Sequence, residues 1–97
     1  MSNLSGAASS RKASMEKFLR KEIPETLTEL ETECALIEAW SKECEAESLD
    51  LMKREDPQKG LFFPQEIYEL RQEKNMLASM RDFRRARINR MKFMKGE

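Results

Sequence analysis

The longest uninterrupted helical pattern of the chain constrains its fold most. No glycine or proline occurs between Pro24 and Pro57, so nothing in this stretch breaks a helix. Apolar or small side chains recur there in two seven-residue series: Ile23, Leu30, Ile37, Cys44 and Leu51, and Leu27, Cys34, Ser41 and Ser48. Interleaved series of this kind form the seam along which one helix packs on another. We therefore predict a long helix over residues 24–55.

A second long helix is predicted over residues 64–95. The preceding segment, 56–63, contains the turn-forming residues Pro57 and Gly60, and Pro64 suits the first position of a helix. The apolar residues of this second helix form two neighbouring stripes: Ile67, Leu70, Leu77, Ile88 and Met91, and Met76, Met80, Phe83 and Met94. The apolar face is therefore wider than a single packed helix would cover.

The N-terminal part of the chain carries weaker signals. Residues 1–13 are small and polar and show no periodicity, which predicts a flexible tail. Ser14 suits the N-cap of a short helix over residues 14–22. Ile23 ends that helix, because a residue before proline is disfavoured in the helical conformation. We expect one α-helical domain over residues 14–97.

Charge predicts how the two long helices pair. The net charge is zero, but residues 22–56 hold twelve acidic residues against three basic ones, whereas residues 81–95 hold seven basic residues against one acidic residue. Antiparallel packing brings these opposite charges together. Each exposed ion pair contributes only ~0–1 kcal/mol, so the pattern selects direction more than it stabilises. The expected contacts join Arg81, Arg84 and Arg85 to Glu33 and Glu38. The predicted fold is all-α: an antiparallel, coiled-coil-like helical hairpin with a short N-terminal helix and a flexible N-terminal tail.

Two helices alone leave part of the broad apolar face in water. Its cover must come from the short N-terminal helix, from a second copy of the chain or from a different protein. We expect the partner-binding residues to be Trp40, Phe62, Phe63, Met76, Met80, Phe83 and Met94. Trp40 equally suits a shielding position at the edge of the seam, and Phe62 and Phe63 suit an apolar plug in the turn.

The C-terminal third of the second helix is strongly basic. Its candidate residues for contact with phosphates or an acidic partner are Arg81, Arg84, Arg85, Arg87, Arg90 and Lys92. Basic helices interleaved with Phe and Met bind acidic protein grooves, nucleic-acid backbones or membrane surfaces. The alternative is simple pairing with the acidic helix of the same chain.

Few residues suggest other chemistry. The chain has no histidine, the most common general base and metal ligand. Cys34 and Cys44 are spaced as neither a zinc site nor a redox pair, so we expect them to be structural. We predict no catalytic, cofactor or metal site and expect that the chain is not an enzyme. Residues 11–14, Arg-Lys-Ala-Ser, match the pattern accepted by basophilic kinases, which makes Ser14 a candidate phosphorylation site at a helix N-terminus.

These patterns favour a small non-catalytic helical subunit or adaptor of a multiprotein complex that docks amphipathic helices on partner helices. The alternatives are a nucleic-acid-associated protein using residues 81–95 and a self-contained homodimeric four-helix bundle. No apolar run reaches the ~18 residues of a membrane span. We expect an intracellular location, cytoplasmic or nuclear. The composition of residues 1–21 also resembles a mitochondrial transit peptide, which leaves that compartment as an alternative.

Overall fold

The computed structural model describes the backbone of residues 3–94 and the side chains of residues 10–93. Within this range it contains three α-helices, α1 (Asn3–Arg20), α2 (Leu27–Arg54) and α3 (Pro64–Met94), and one short 3₁₀ helix at Pro57–Lys59. The all-α prediction and the hairpin of α2 and α3 are confirmed. The molecule is elongated, measuring 63 × 21 × 15 Å with a radius of gyration of 16.8 Å, whereas a compact domain of this length has about 13 Å.

The predicted seam of α2 faces α3 and forms the centre of the fold. Leu30, Ile37 and Cys44 from one seven-residue series are almost completely buried, as is Leu77 of α3. Each fully buried aliphatic side chain of this size contributes about 1.5–3 kcal/mol. The small seam residues Ser41 and Ser48 are only half-buried. The packing of α2 on α3 therefore depends mainly on one of the two predicted series.

The turn between α2 and α3 is closed by local hydrogen bonds. Asp56 and Leu61 exchange two backbone hydrogen bonds of 2.9 Å, and Gly60 between them has φ 66°, a left-handed conformation that glycine adopts without strain. A carboxylate oxygen of Glu55 accepts a 3.0 Å hydrogen bond from the backbone N–H of Phe63. Because Phe63 lies directly before α3, this bond places a negative charge at the positive end of the helix dipole.

The predicted short N-terminal helix is confirmed, and it extends further toward the N-terminus than the expected start at Ser14. Helix α1 already begins at Asn3 and ends at Arg20, so Ser14 lies inside it rather than at its N-cap. The physical reason is a tertiary contact: Arg11, in the supposed tail, is buried and bonded to carboxylates of α2 and α3. The segment has no apolar stripe, but this anchor favours the helix over the unstructured chain.

The first long helix begins three residues after the expected boundary at Pro24. Helix α2 begins at Leu27 with Thr26 as its N-cap, and the Thr26 hydroxyl accepts a 3.3 Å hydrogen bond from the backbone N–H of Glu29. This bond satisfies one of the free donors at the helix N-terminus. Pro24 is buried in the connection between α1 and α2. The capping chemistry at Thr26 therefore outweighs the helix-start preference of proline.

Helix α1 lies antiparallel to α2 and parallel to α3 and covers the groove between them. Along α1, contacts through charged side chains alternate with contacts through apolar side chains. A charged layer contains Arg11, an apolar layer contains Met15 and Phe18, and a second charged layer contains Lys21, directly after the helix. Helix α1 therefore covers part of the broad apolar face, and it is one of the three candidates considered for that role.

Candidate protein-docking surface

The α1 groove contains the most deeply buried charge among the described side chains. Arg11 is 2% exposed. Its Nη1 donates to Glu47 Oε2 at 2.6 Å, and its Nη2 donates to Glu73 Oε1 at 3.1 Å. Glu43, which is half-exposed, accepts a weaker bond of 3.3 Å. One guanidinium therefore joins α1 to both long helices, a geometry for which its rigid fork of donors is suited.

The surroundings of Arg11 keep it charged. Burial lowers the pKa of its guanidinium, but the hydrogen bonds to Glu47 and Glu73 outweigh burial, and the pKa is raised overall. Glu47 and Glu73 share this one guanidinium as their counter-ion. Removing Arg11 would leave both carboxylates buried without a counter-ion, which is strongly destabilising. We therefore interpret this cluster as structural, with the role of fixing α1 on the hairpin.

The second charged layer is built around Glu33, which is 6% exposed. Its Oε1 accepts a 2.8 Å hydrogen bond from Arg84 Nε, and its Oε2 accepts one from Lys21 Nζ. Burial raises the pKa of the Glu33 carboxyl, but these bonds outweigh burial and hold the pKa below its usual range. The sequence-based pairing of Arg84 with Glu33 is confirmed, and Arg85 bonds Glu38 at 2.6 Å as expected.

The apolar layer between the two charged layers contains the only tryptophan of the chain. The Phe18 ring meets the Trp40 ring edge-on, with 5.2 Å between centroids. The cations of Arg84 and Lys21 lie 5.3 Å and 5.5 Å from the centroid of Phe18, distances at which cations are attracted to aromatic rings. Trp40 is 8% exposed. Its alternative interpretation, shielding within the fold, therefore agrees with the geometry, because little of the Trp40 side chain reaches the surface.

The other expected partner-binding residues differ in their exposure. Met80 is buried in the same core cluster as Trp40, so its side chain does not reach the surface. Phe63 is half-buried, with the Arg54 guanidinium 5.4 Å from its ring centroid, whereas Phe62 is exposed. Met76 and Phe83 are exposed on α3. Met94 ends α3, and its side chain lies outside the described residues.

The candidate basic block is largely engaged inside the molecule. Arg84 is buried, and Arg85 pairs with α2. Arg87 donates to the backbone carbonyls of Ile23 and Pro24, at 3.2 and 3.4 Å. Arg81 is half-buried and lies 3.4 Å from Asp82. Arg90 and Lys92 are exposed, and within the described residues neither forms an ion pair. Arg84 is therefore withdrawn from the surface, whereas Arg85 remains exposed beside Glu38. Contact of this block with an external anion stays a prediction.

Ser14 is half-buried on α1. Arg11, the basic residue that a kinase would have to recognise three positions earlier, is buried. The geometry therefore presents this motif to a kinase only if α1 leaves its groove. Phosphorylation of Ser14 stays a prediction.

The two cysteines lie in the core, and both thiols are free. Burial raises the pKa of Cys44 to about 11 and also raises the pKa of Cys34. Within the described residues, no group of three or more acidic or cysteine side chains is arranged to hold a metal ion. None of the described helices combines the length and apolarity needed to cross a membrane.

A row of nine exposed residues runs along one face of α3, and we call it the outer stripe. Its positions alternate by four and three residues: Gln65, Glu69, Gln72, Met76, Ser79, Phe83, Ala86, Arg90 and Phe93. All nine residues are exposed, including Phe83 at 65% and Phe93 at 81%. The exposed ring of Tyr68 lies at its edge. Its large apolar members are Met76, Phe83 and Phe93, and the other positions are polar or small. Helix α1 reaches the stripe only at its N-terminal end among the described side chains, where Lys12 lies 4.0 Å from Glu69.

Sequence reasoning identified Met76 and Phe83 but missed Phe93 and Tyr68. It also placed Met80 on the same stripe, although Met80 points into the core. The sequence did contain a signal for this face of α3. Seven-residue intervals separate Met76 from Phe83, Ser79 from Ala86, and Ala86 from Phe93. Comparison with protein-family models, with curated proteins and with solved structures finds no significant match to this chain.

Proposed function

We propose that this chain is a small non-catalytic subunit of a protein assembly, and that the outer stripe of α3 docks against a helix of another polypeptide chain. The observation that carries the proposal is the alignment of three exposed large apolar side chains, Met76, Phe83 and Phe93, on one face of α3. Apolar side chains aligned on a water-exposed helix face favour contact with another protein.

The residues of the outer stripe support protein docking. Phe83 and Phe93 offer large rigid rings that bury much area at little entropic cost. Arg90 lies between them along the stripe, within reach of an acidic group on the partner. Ser79 and Ala86 are small, so a second helix can approach closely there. The surface therefore has both the knobs and the holes of a helix interface.

The distribution of cations gives less support to nucleic-acid binding. Arg84, Arg85 and Arg87 are bonded within the molecule, which leaves Arg90 and Lys92 as the exposed cations at this end of α3 that lack an ion pair among the described residues. Affinity for a phosphate backbone increases with the number of phosphates neutralised. Two such cations give little binding at physiological salt.

Site-specific photo-crosslinking tests the proposed function. A benzophenone amino acid replaces Phe83 in one variant and Leu49 in a matched control, since Leu49 is 53% exposed but lies on α2. Irradiation in cells should give an adduct through position 83 and none through position 49. Mass spectrometry should map the adduct to an apolar face of a helix. Equal labelling from both positions, or none from position 83, would refute the proposal.

A further inference from the structure

We infer that the helix that docks on the outer stripe is the outer stripe of a second copy of this chain, packed antiparallel across a two-fold axis. This inference rests on the proposed function and names its partner. Its basis is that the central part of the stripe is complementary to itself in side-chain size, and that the two ends of α3 are complementary in charge.

Size complementarity follows from the order of the residues. In an antiparallel pair, a residue of one series in a 3-4 seam meets a residue of the other series. The register that places Phe83 opposite Ser79 of the second copy also places Met76 opposite Ala86. Each large side chain of the central part of the stripe therefore meets a small one. Close packing without voids requires this pairing.

Charge complementarity selects the same direction. The N-terminal end of α3 carries Glu66 and Glu69, whereas Arg90 and Lys92 lie near its C-terminal end; all four are exposed. Glu69 also lies 4.0 Å from Lys12 of α1, in a half-exposed pair that leaves its carboxylate accessible. An antiparallel pair brings these ends together twice, with Arg90 within one helical turn of Glu69 of the second copy. A parallel pair would place Arg90 on Arg90 and Glu69 on Glu69. Charges at the edges of helix pairs set orientation in this way.

A two-fold arrangement also closes the assembly. Each copy uses the same surface, so no stripe remains open to recruit a third chain. The two α3 helices then lie at the centre of the dimer, and helices α1 and α2 of each copy lie outside them. One unfavourable contact is expected near the axis, where Asp82 at the edge of the stripe lies close to Asp82 of the second copy. Its neighbour Arg81, at 3.4 Å, offsets part of this repulsion.

Sedimentation equilibrium of the purified full chain tests the inference. The unmodified chain should be a dimer. Phe83→Glu should weaken the dimer by about 100-fold or more, because the carboxylate would be buried in an apolar layer without a partner. Leu49→Glu, a matched change on α2, should leave the dimer intact. Circular dichroism should show unchanged helix content for both variants, since each position is exposed in the monomer.

Charge reversal provides the more specific test. Glu69→Arg and Arg90→Glu should each weaken the dimer, by about threefold or more. Both changes in one chain should restore it, because the two-fold axis places each altered residue near the other. Asp82→Asn should tighten the dimer. A chain that remains monomeric up to about 100 µM, or a double variant no tighter than either single variant, would overturn the inference.

The two proposals fail in different ways. If the isolated chain is monomeric and position 83 crosslinks to a different protein in cells, the second-copy inference is wrong and the docking function stands. If position 83 gives no adduct of either kind, both are wrong. A crosslinked product with twice the mass of the 11.4 kDa chain supports both.

Discussion

Nη1 of Arg11 lies 2.6 Å from Oε2 of Glu47, and both side chains are buried. The bond joins residues 36 positions apart and, together with Glu73, determines where α1 rests on the hairpin. A buried charge of this kind is tolerated only when its hydrogen-bonding groups are satisfied.

Replacing Arg11 by Met should therefore release α1. Glu47 and Glu73 would lose their shared counter-ion, a change that destabilises by about 3 kcal/mol or more in comparable buried groups. The decrease in the free energy of unfolding cannot exceed the free energy with which α1 docks, because detachment of α1 lets water reach the carboxylates. Urea unfolding followed by Trp40 fluorescence measures this decrease. Red-shifted emission before global unfolding would report the detachment of α1. Lys12→Met, at an exposed site, should change stability by less than about 0.5 kcal/mol.

Stability should decrease in acid through Glu33. The folded-state pKa of this carboxyl lies below its ordinary value of 4.5, so its contribution is complete above about pH 4.5 and is lost as the pH falls through the lower folded-state value. Glu33→Gln should be less stable than the unmodified chain at pH 7, and the difference should shrink below pH 4.5. Thermal unfolding measured at several pH values checks this. A difference that is independent of pH would contradict the assigned role.

Both cysteines should react slowly in the folded protein. The pKa of Cys44, raised to about 11, leaves roughly one thiol in a thousand ionised at pH 8, and the thiolate is the reactive form. A chromogenic disulfide reagent should label the native chain slowly and the urea-unfolded chain rapidly. Labelling of Cys44 should accelerate in Arg11→Met, since the Arg11 side chain covers the same groove. Rapid labelling of the native chain would contradict the burial of both thiols.

Gly60→Ala should destabilise the hairpin through backbone strain alone. No atom lies within 4 Å of a Cβ built at this position, so the effect arises from the left-handed φ of 66° and amounts to about 1–2 kcal/mol. Gly60→Asn should lose less, because asparagine tolerates this conformation better. The midpoints of urea unfolding compare the three chains. An alanine variant as stable as the unmodified chain would contradict this explanation.

The parts of the fold that were predictable depend on patterns within one helix or between the two long helices. The seven-residue spacing that includes Leu30 and Ile37 identified the buried face of α2. The opposite charges of the helices identified the pairing of Arg84 with Glu33. Both signals can be read without knowing any third element.

The parts that sequence reasoning missed depend on contacts between distant segments. Arg11 appears as a polar tail residue until Glu47 and Glu73, 36 and 62 positions away, are known to converge on it. Trp40 could equally face a partner or the interior, because its cover, Phe18, belongs to another helix. Met80 and Phe83 are three positions apart on one predicted apolar stripe, but Met80 lies in the core cluster formed by all three helices, whereas Phe83 is exposed.

The alternation of charged and apolar layers along α1 permits only one axial position of this helix. A shift of one turn, about 5.4 Å, would move Arg11 toward the Trp40 layer and leave Glu47 and Glu73 without a counter-ion. The register is therefore specified by side chains rather than by the length of the connection at residues 21–26. Insertion of a few glycine and serine residues into that connection should leave α1 at the same height, because loop length adds only a small entropic term.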